Sequence, residues 1–131
     1  MAGLNISCGT FYGDDKSGSA FEGVLDALSD APAELVRSIK EGFDGGDHVL
    51  ISEKQAALLL PLLVEYRARL VNEMGHEDWV SEVAAEEAAE LDPTGGKWGA
   101  SRGWRLYCTT NLIRACQTSA VEHEPIAIVG F

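Results

Sequence analysis

The sequence predicts one compact domain over residues 1–131, of the α+β class or a small α/β variant, mostly helical with about three short strands. Apolar residues recur at helical spacing over most of the chain. Three short apolar or alternating segments, at 4–8, 48–51 and 125–129, lie between those helical stretches. A chain of 131 residues with 46% apolar composition can bury one core, but it is too short for two large domains.

The first third of the chain predicts a strand followed by two helices. Apolar and polar residues alternate from Leu4 to Cys8, which is typical of a half-buried strand, and a turn-rich segment follows at 9–18. The first helix opens with a capping-box pattern at 19–22 and has an apolar stripe made of Phe21, Val24, Leu25 and Leu28. The second helix has Pro32 in its first turn and is expected to end at Gly42.

The longest predicted helix follows a second strand at 48–51. A capping box at 52–55 begins this helix, and Gly75 is expected to end it. Pro61 lies well inside, where proline lacks the amide hydrogen that an α-helix uses. Two outcomes stay open: a kinked helix that wraps Leu58, Leu59 and Leu62 around the core, or a second helix that begins at Pro61.

The last third predicts two helices and a terminal strand. The helices are expected at 77–91 and at about 104–120, the second with Leu112, Ile113 and Cys116 facing inward. Both alternating faces of the strand at 125–129 are apolar, so we expect it in the centre of the sheet and covered on both sides. A monomer and a homodimer through an edge of this strand both remain open.

Charge is the most informative property of the chain. There are 21 acidic and 10 basic residues, for a net charge of −11, which argues against direct nucleic-acid binding or binding to an anionic membrane. One helix face carries four acidic residues spaced by four: Asp78, Glu82, Glu86 and Glu90. A partner rich in Lys and Arg would relieve their mutual repulsion. The alternative is a solvated helix face that has no partner.

A glycine-rich basic loop at 94–105 is the second candidate site. Glycines before a helix N-terminus, together with cations, suit an anion or a nucleotide phosphate. The residues that would bind it are Lys97, Trp98, Ser101, Arg102, Trp104 and Arg105. The loop matches neither a P-loop nor a dinucleotide-binding pattern. It could equally be a connection whose cations pair with the acidic helix before it.

No motif in the chain predicts catalysis, a metal ion or a cofactor. The three histidines lack metal-ligand spacing, and no nucleophile elbow or catalytic triad order is present. The three cysteines form no CxxC pair, no signal peptide is visible, and no apolar run approaches the ~20 residues of a membrane span. These observations predict a cytoplasmic location with reduced thiols, and they favour a binding protein over an enzyme.

Two functional hypotheses follow from the sequence. The first is stoichiometric binding to a basic or nucleic-acid-handling protein, in the manner of immunity proteins, antitoxins and phage inhibitors. It depends on the net charge, the acidic helix face and the lack of catalytic motifs. The second is an anion- or nucleotide-binding domain, or a small enzyme, that uses the loop at 94–105.

Overall fold

A computed structural model describes residues 4–13, 18–28, 31–45, 48–75 and 102–130. They form a mostly helical α+β domain with a four-stranded sheet, so the predicted fold class is confirmed and the predicted strand number is one too low. The elements are β1 (Leu4–Cys8), β2 (Phe11–Tyr12), α1 (Gly18–Ala27), α2 (Ala33–Gly45), β3 (His48–Ile51), α3 (Glu53–Met74), α4 (Arg102–Glu122) and β4 (Ile126–Gly130).

The sheet has the strand order β2-β1-β4-β3, and every neighbouring pair is antiparallel. The C-terminal strand β4 lies between β1 and β3, so its predicted central position is confirmed. Both edges of β4 are hydrogen-bonded to strands of the same chain, so neither edge is free to pair with a second copy, and the choice between a monomer and a homodimer stays untested. The strand missed by sequence reasoning is β2, which forms a hairpin with β1 within the segment expected to be only a turn.

The core lies on one face of the sheet. Ile6, Val49, Ile51, Ile126 and Ile128 are buried there among helix side chains. On the opposite face, Leu50 and Val129 are exposed, and the prediction that β4 is covered on both sides is wrong at Val129. The main contacts between helices and strands are made by α4 with β1 and β2 and by α2 with β3. An apolar pattern on both faces of a strand does not reveal which face the helices cover.

The long helix α3 begins and ends where the sequence predicts. The Ser52 side chain accepts a hydrogen bond from the Gln55 amide, and the Gln55 side chain accepts one from the Ser52 amide. At the other end, Gly75 adopts a left-handed conformation with φ 81°, and its amide donates to the carbonyl of Val71. Both predicted helix boundaries are confirmed.

Pro61 lies inside a single continuous helix, so the alternative in which a second helix begins at this residue is wrong. Leu59 is buried and Leu62 is partly buried, as a helix wrapped on the core requires. Leu58 is 51% exposed, and its predicted place in the core is wrong. Consecutive residues on a helix are about 100° apart, so burial of Leu59 turns Leu58 toward solvent. The buried face of α3 consists of Ala56, Leu59, Leu63, Tyr66 and Leu70.

Helix α2 continues past the glycine that was expected to end it. Pro32 directly precedes the helix, and its carbonyl accepts from the amides of Leu35 and Val36 at 3.0 and 3.2 Å. The helix runs through Gly42 to Gly45, so the predicted end is wrong. A Cβ atom at Gly42 would lie 3.1 Å from Cγ2 of Val49. Gly42 is therefore explained by the close approach of α2 to β3 rather than by helix termination.

Helix α4 is two residues longer at each end than the predicted 104–120. Arg102 and Gly103, expected at the end of the loop, are its first residues. The inward positions predicted for Leu112, Ile113 and Cys116 are confirmed, because all three are buried. The chain leaves α4 at His123, which has a positive φ of 59° and donates its amide hydrogen to the carbonyl of Ser119.

Two predicted features lie outside the described residues: the helix at 77–91 and the loop at 93–101. The side chains of the capping box at 19–22 are not all described either. No helix in the described ranges combines the length and apolar character that crossing a bilayer requires.

Candidate functional site

The acidic and basic candidate residues lie almost entirely outside the described ranges. These are Asp78, Glu82, Glu86 and Glu90 of the acidic face and Lys97, Trp98 and Ser101 of the basic loop. Arg102 and Trp104 belong to the first turn of α4, but their side chains are not described. Both sites therefore stay predictions, and only Arg105 can be examined in full.

Arg105 lies at the contact between α3 and α4. Its Nε and the hydroxyl of Tyr66 are both buried, and neither makes a hydrogen bond of good geometry within the described part of the chain. Burial raises the pKa of Tyr66, and the positive charge of Arg105 opposes that rise. The guanidinium of Arg69 lies 5.7 Å from the centre of the Tyr66 ring. Arg105 is thus packed between two helices, and its predicted role in anion binding stays a prediction.

The β1–β2 hairpin is held against the end of α4 by one carboxylate. Gly9 and Thr10 form its two-residue loop, and Gly9 has a positive φ of 52°, as the first central residue of a type II′ turn does. The Glu122 carboxylate accepts hydrogen bonds from the Thr10 amide, at 3.0 Å, and from the Thr10 hydroxyl. A side chain at Gly9 would collide with this carboxylate. The hairpin is therefore docked on α4.

Docking the hairpin creates two adjoining recesses along α4. The first, of about 180 Å³, is named here the hairpin pocket and is lined by Phe11, Tyr12, Gly13, Tyr107, Thr110, Asn111 and Arg114. The second, of about 360 Å³, is lined by Phe11, Arg114, Gln117, Thr118, Val121 and Glu122. Phe11 and Arg114 line both recesses. The sequence analysis did not find this pocket, because the pocket exists only once β2 has folded onto α4.

The face of the sheet opposite the core carries the second structural candidate. The register aligns Tyr12, Ser7, Ala127 and Leu50 in one row across all four strands. Within this face Tyr12 is 65% exposed, Leu50 is 62% exposed and Val129 is 42% exposed. We name Tyr12, Leu50 and Val129 the open sheet surface. Its residues span the sheet from the β2 edge to the β3 edge.

The three cysteines are free and buried, and Cys8 packs in the core as a small apolar side chain. The Cys8 thiol donates to the carbonyl of Glu124 at 3.4 Å. Burial raises the pKa of Cys8, and the charges of Glu122 and Glu124 raise it further. Burial also raises the pKa of Cys116 to about 12. Since a nucleophilic cysteine needs its thiolate, neither environment activates the sulfur at neutral pH.

His123 has a structural partner. Its Nδ1 lies 2.8 Å from a carboxylate oxygen of Glu53, which joins the C-terminal end of α4 to the first turn of α3. Within the described ranges, no group of three His, Cys, Asp or Glu side chains is placed to hold a metal ion.

Comparison with known proteins gives no match: no family model, no curated protein and no solved structure is significantly similar to this chain. Functional inference therefore depends on the geometry above.

Proposed function

We propose that this protein acts by stoichiometric binding to another protein, and that the partner docks on the open sheet surface. The observation that carries the proposal is the exposure of Tyr12, Leu50 and Val129 on one face of a sheet whose other face holds the core. Single exposed apolar residues are common, but three that share one face of a sheet, from its β2 edge to its β3 edge, indicate a candidate interface. Tyrosine is among the residues that most often anchor such interfaces, and Tyr12 is the tyrosine of this surface.

The net charge of −11 supports a basic partner. An acidic protein attracts a basic one over long distances and repels nucleic acid, so nucleic-acid-handling proteins are the favoured class. The predicted acidic face of Asp78, Glu82, Glu86 and Glu90 would steer such a partner toward the complex. This mode of action is that of immunity proteins, antitoxins and phage inhibitors. Three free thiols support a reducing, cytoplasmic site of action.

The test compares three tagged baits in cell extract: the unmodified protein, Leu50→Ser and Leu58→Ser. Leu58 is the matched control because it is also an exposed leucine but lies on α3, away from the sheet. We expect a basic protein retained in about 1:1 ratio by the unmodified and Leu58→Ser baits and lost from the Leu50→Ser bait. If all three baits retain the same proteins in the same amounts, the open sheet surface is not the interface.

The acidic face is tested separately with the purified partner. Changing Glu82, Glu86 and Glu90 together to Gln should slow association at low salt and leave little difference at high salt, because screening suppresses long-range attraction. Unchanged affinity in this triple variant would refute the acidic-face mechanism and leave the claim about the open sheet surface intact.

A further inference from the structure

Within the residues that the structure describes, Arg114 has no acidic partner, although the chain has 21 acidic residues. It is exposed on α4 and lines both recesses beside the hairpin. Among the described residues, no carboxylate lies within 4 Å of its guanidinium. As far as the described residues go, its charge and its side-chain donors are available to a ligand.

The described neighbours of Arg114 offer it no free carboxylate. Thr110, Asn111, Gln117 and Thr118, each three or four residues away along α4, are polar but uncharged. The carboxylate that lines the same recess belongs to Glu122, and both of its oxygens accept hydrogen bonds from Thr10. The hydroxyl of Thr118 donates to the main-chain carbonyl of Arg114, which leaves the guanidinium unaffected.

The hairpin pocket offers more than a positive charge. Phe11 and Tyr107 supply aromatic surface. Asn111 is buried, and its Nδ2 donates to the carbonyl of Tyr107 at 3.0 Å, so this part of the wall has a fixed orientation. A Cβ atom at Gly13 would lie 2.5 Å from Oδ1 of Asn111, which shows how closely the hairpin approaches α4 here. A cation beside a rigid wall with aromatic groups can recognise an anion attached to a planar, apolar body.

We propose that the hairpin pocket binds a small organic carboxylate, with its carboxylate on the Arg114 guanidinium and its planar body against Phe11. The fork of a guanidinium matches the two oxygens of a carboxylate, and such charge-assisted pairs are stronger than neutral hydrogen bonds. The volume of about 180 Å³ suits a ligand of the size of benzoate, since sites for drug-sized ligands are larger. Tyr12 belongs both to the lining of this pocket and to the open sheet surface, but the proposed contacts of the ligand are with Arg114 and Phe11, which lie outside that surface.

The test uses two matched probes, benzoate and its neutral counterpart benzamide, together with inorganic phosphate as an anion without a ring. Amide chemical shifts of the hairpin and of residues 107–118 report binding. We expect saturable shifts there with benzoate. Benzamide lacks the negative charge and phosphate lacks the ring, so each should bind at least about tenfold more weakly than benzoate. The proposal would be overturned if benzamide or phosphate bound with an affinity similar to that of benzoate. It would also be overturned if benzoate gave no saturable shift.

Variants assign the binding to Arg114. Arg114→Gln should lower the affinity for benzoate to that for benzamide. Arg114→Lys should give an intermediate affinity for benzoate, because lysine keeps the positive charge but cannot make the two-point contact of a guanidinium. Arg67→Gln is the control, since Arg67 lies on α3 and lines neither recess. Benzoate affinity that is unchanged in a folded Arg114→Gln variant, or equally reduced in Arg67→Gln, would overturn the assignment.

Discussion

Glu122 holds Thr10 in place across a sequence separation of 112 residues. Its carboxylate accepts from the Thr10 amide at 3.0 Å and from the Thr10 hydroxyl, so the last residue of α4 fixes the tip of the first hairpin. The hairpin pocket depends on this contact, because Phe11 and Gly13 approach α4 through the same hairpin. A strand of two residues such as β2 is too short to be stable through its own pairing, and this tertiary contact holds it in place.

Replacing Gly9 by Ala should destabilise the protein by about 2 kcal/mol. An L-residue at a positive φ costs about 1–2 kcal/mol, and the new methyl group would also collide with Glu122. Gly23→Ala is the control within α1, where a Cβ atom would meet nothing within 4 Å. That change should stabilise the protein by about 0.5–1 kcal/mol, because glycine weakens a helix interior. Urea unfolding of the two variants measures both effects, and equal effects would contradict the account of the Gly9 turn.

His123 should tolerate glycine better than alanine. Both substitutions remove the contact with Glu53, but only alanine must place a Cβ at the φ of 59° found there. We expect His123→Gly to be more stable than His123→Ala by about 1 kcal/mol, the typical cost of a left-handed L-residue. Thermal or urea unfolding checks this difference. Equal stability of the two variants would mean that the backbone at the end of α4 relaxes out of the left-handed region.

Stability should fall above pH 9 because of the buried thiols. The pKa of Cys116 is about 12 in the folded protein, against an ordinary value of 9.0. Above pH 9 the unfolded chain therefore releases a proton that the folded chain retains, which favours unfolding. The contribution of this thiol to the free energy of unfolding is fully present below pH 9. It decreases by about 1.4 kcal/mol per pH unit between the two pKa values. Cys116→Ala should remove this part of the slope in urea unfolding at pH 8–11, and an unchanged slope would contradict the raised pKa.

Local patterns predicted those elements whose ends are determined locally. The capping box at Ser52 and the left-handed Gly75 were predicted correctly because each boundary depends on a few adjacent residues. Gly42 shows the limit of this reasoning. It resembles a helix stop in sequence, but the helix continues to Gly45, and the glycine instead allows the close approach of Val49 from the strand that follows.

The candidate surfaces could not be predicted because they depend on contacts between distant segments. The Gly9-Thr10 pair between Cys8 and Phe11 is a signal that could have predicted the hairpin, since glycine is typical of the first central position in a type II′ turn. No local pattern reveals that Arg114 meets Phe11 or that Leu50 faces away from the helices. Both facts follow only from how the hairpin and the helices pack on the sheet.

The most direct test of the proposed function is photo-cross-linking in the native cell. A benzophenone amino acid placed at Leu50 should give one dominant adduct with a basic protein, and the same group at Leu58 should give none, although both positions are exposed. The account predicts that the adduct at position 50 joins one copy of this chain to one copy of the partner. No adduct at position 50, equal adducts at both positions, or an adduct between two copies of this chain would contradict it.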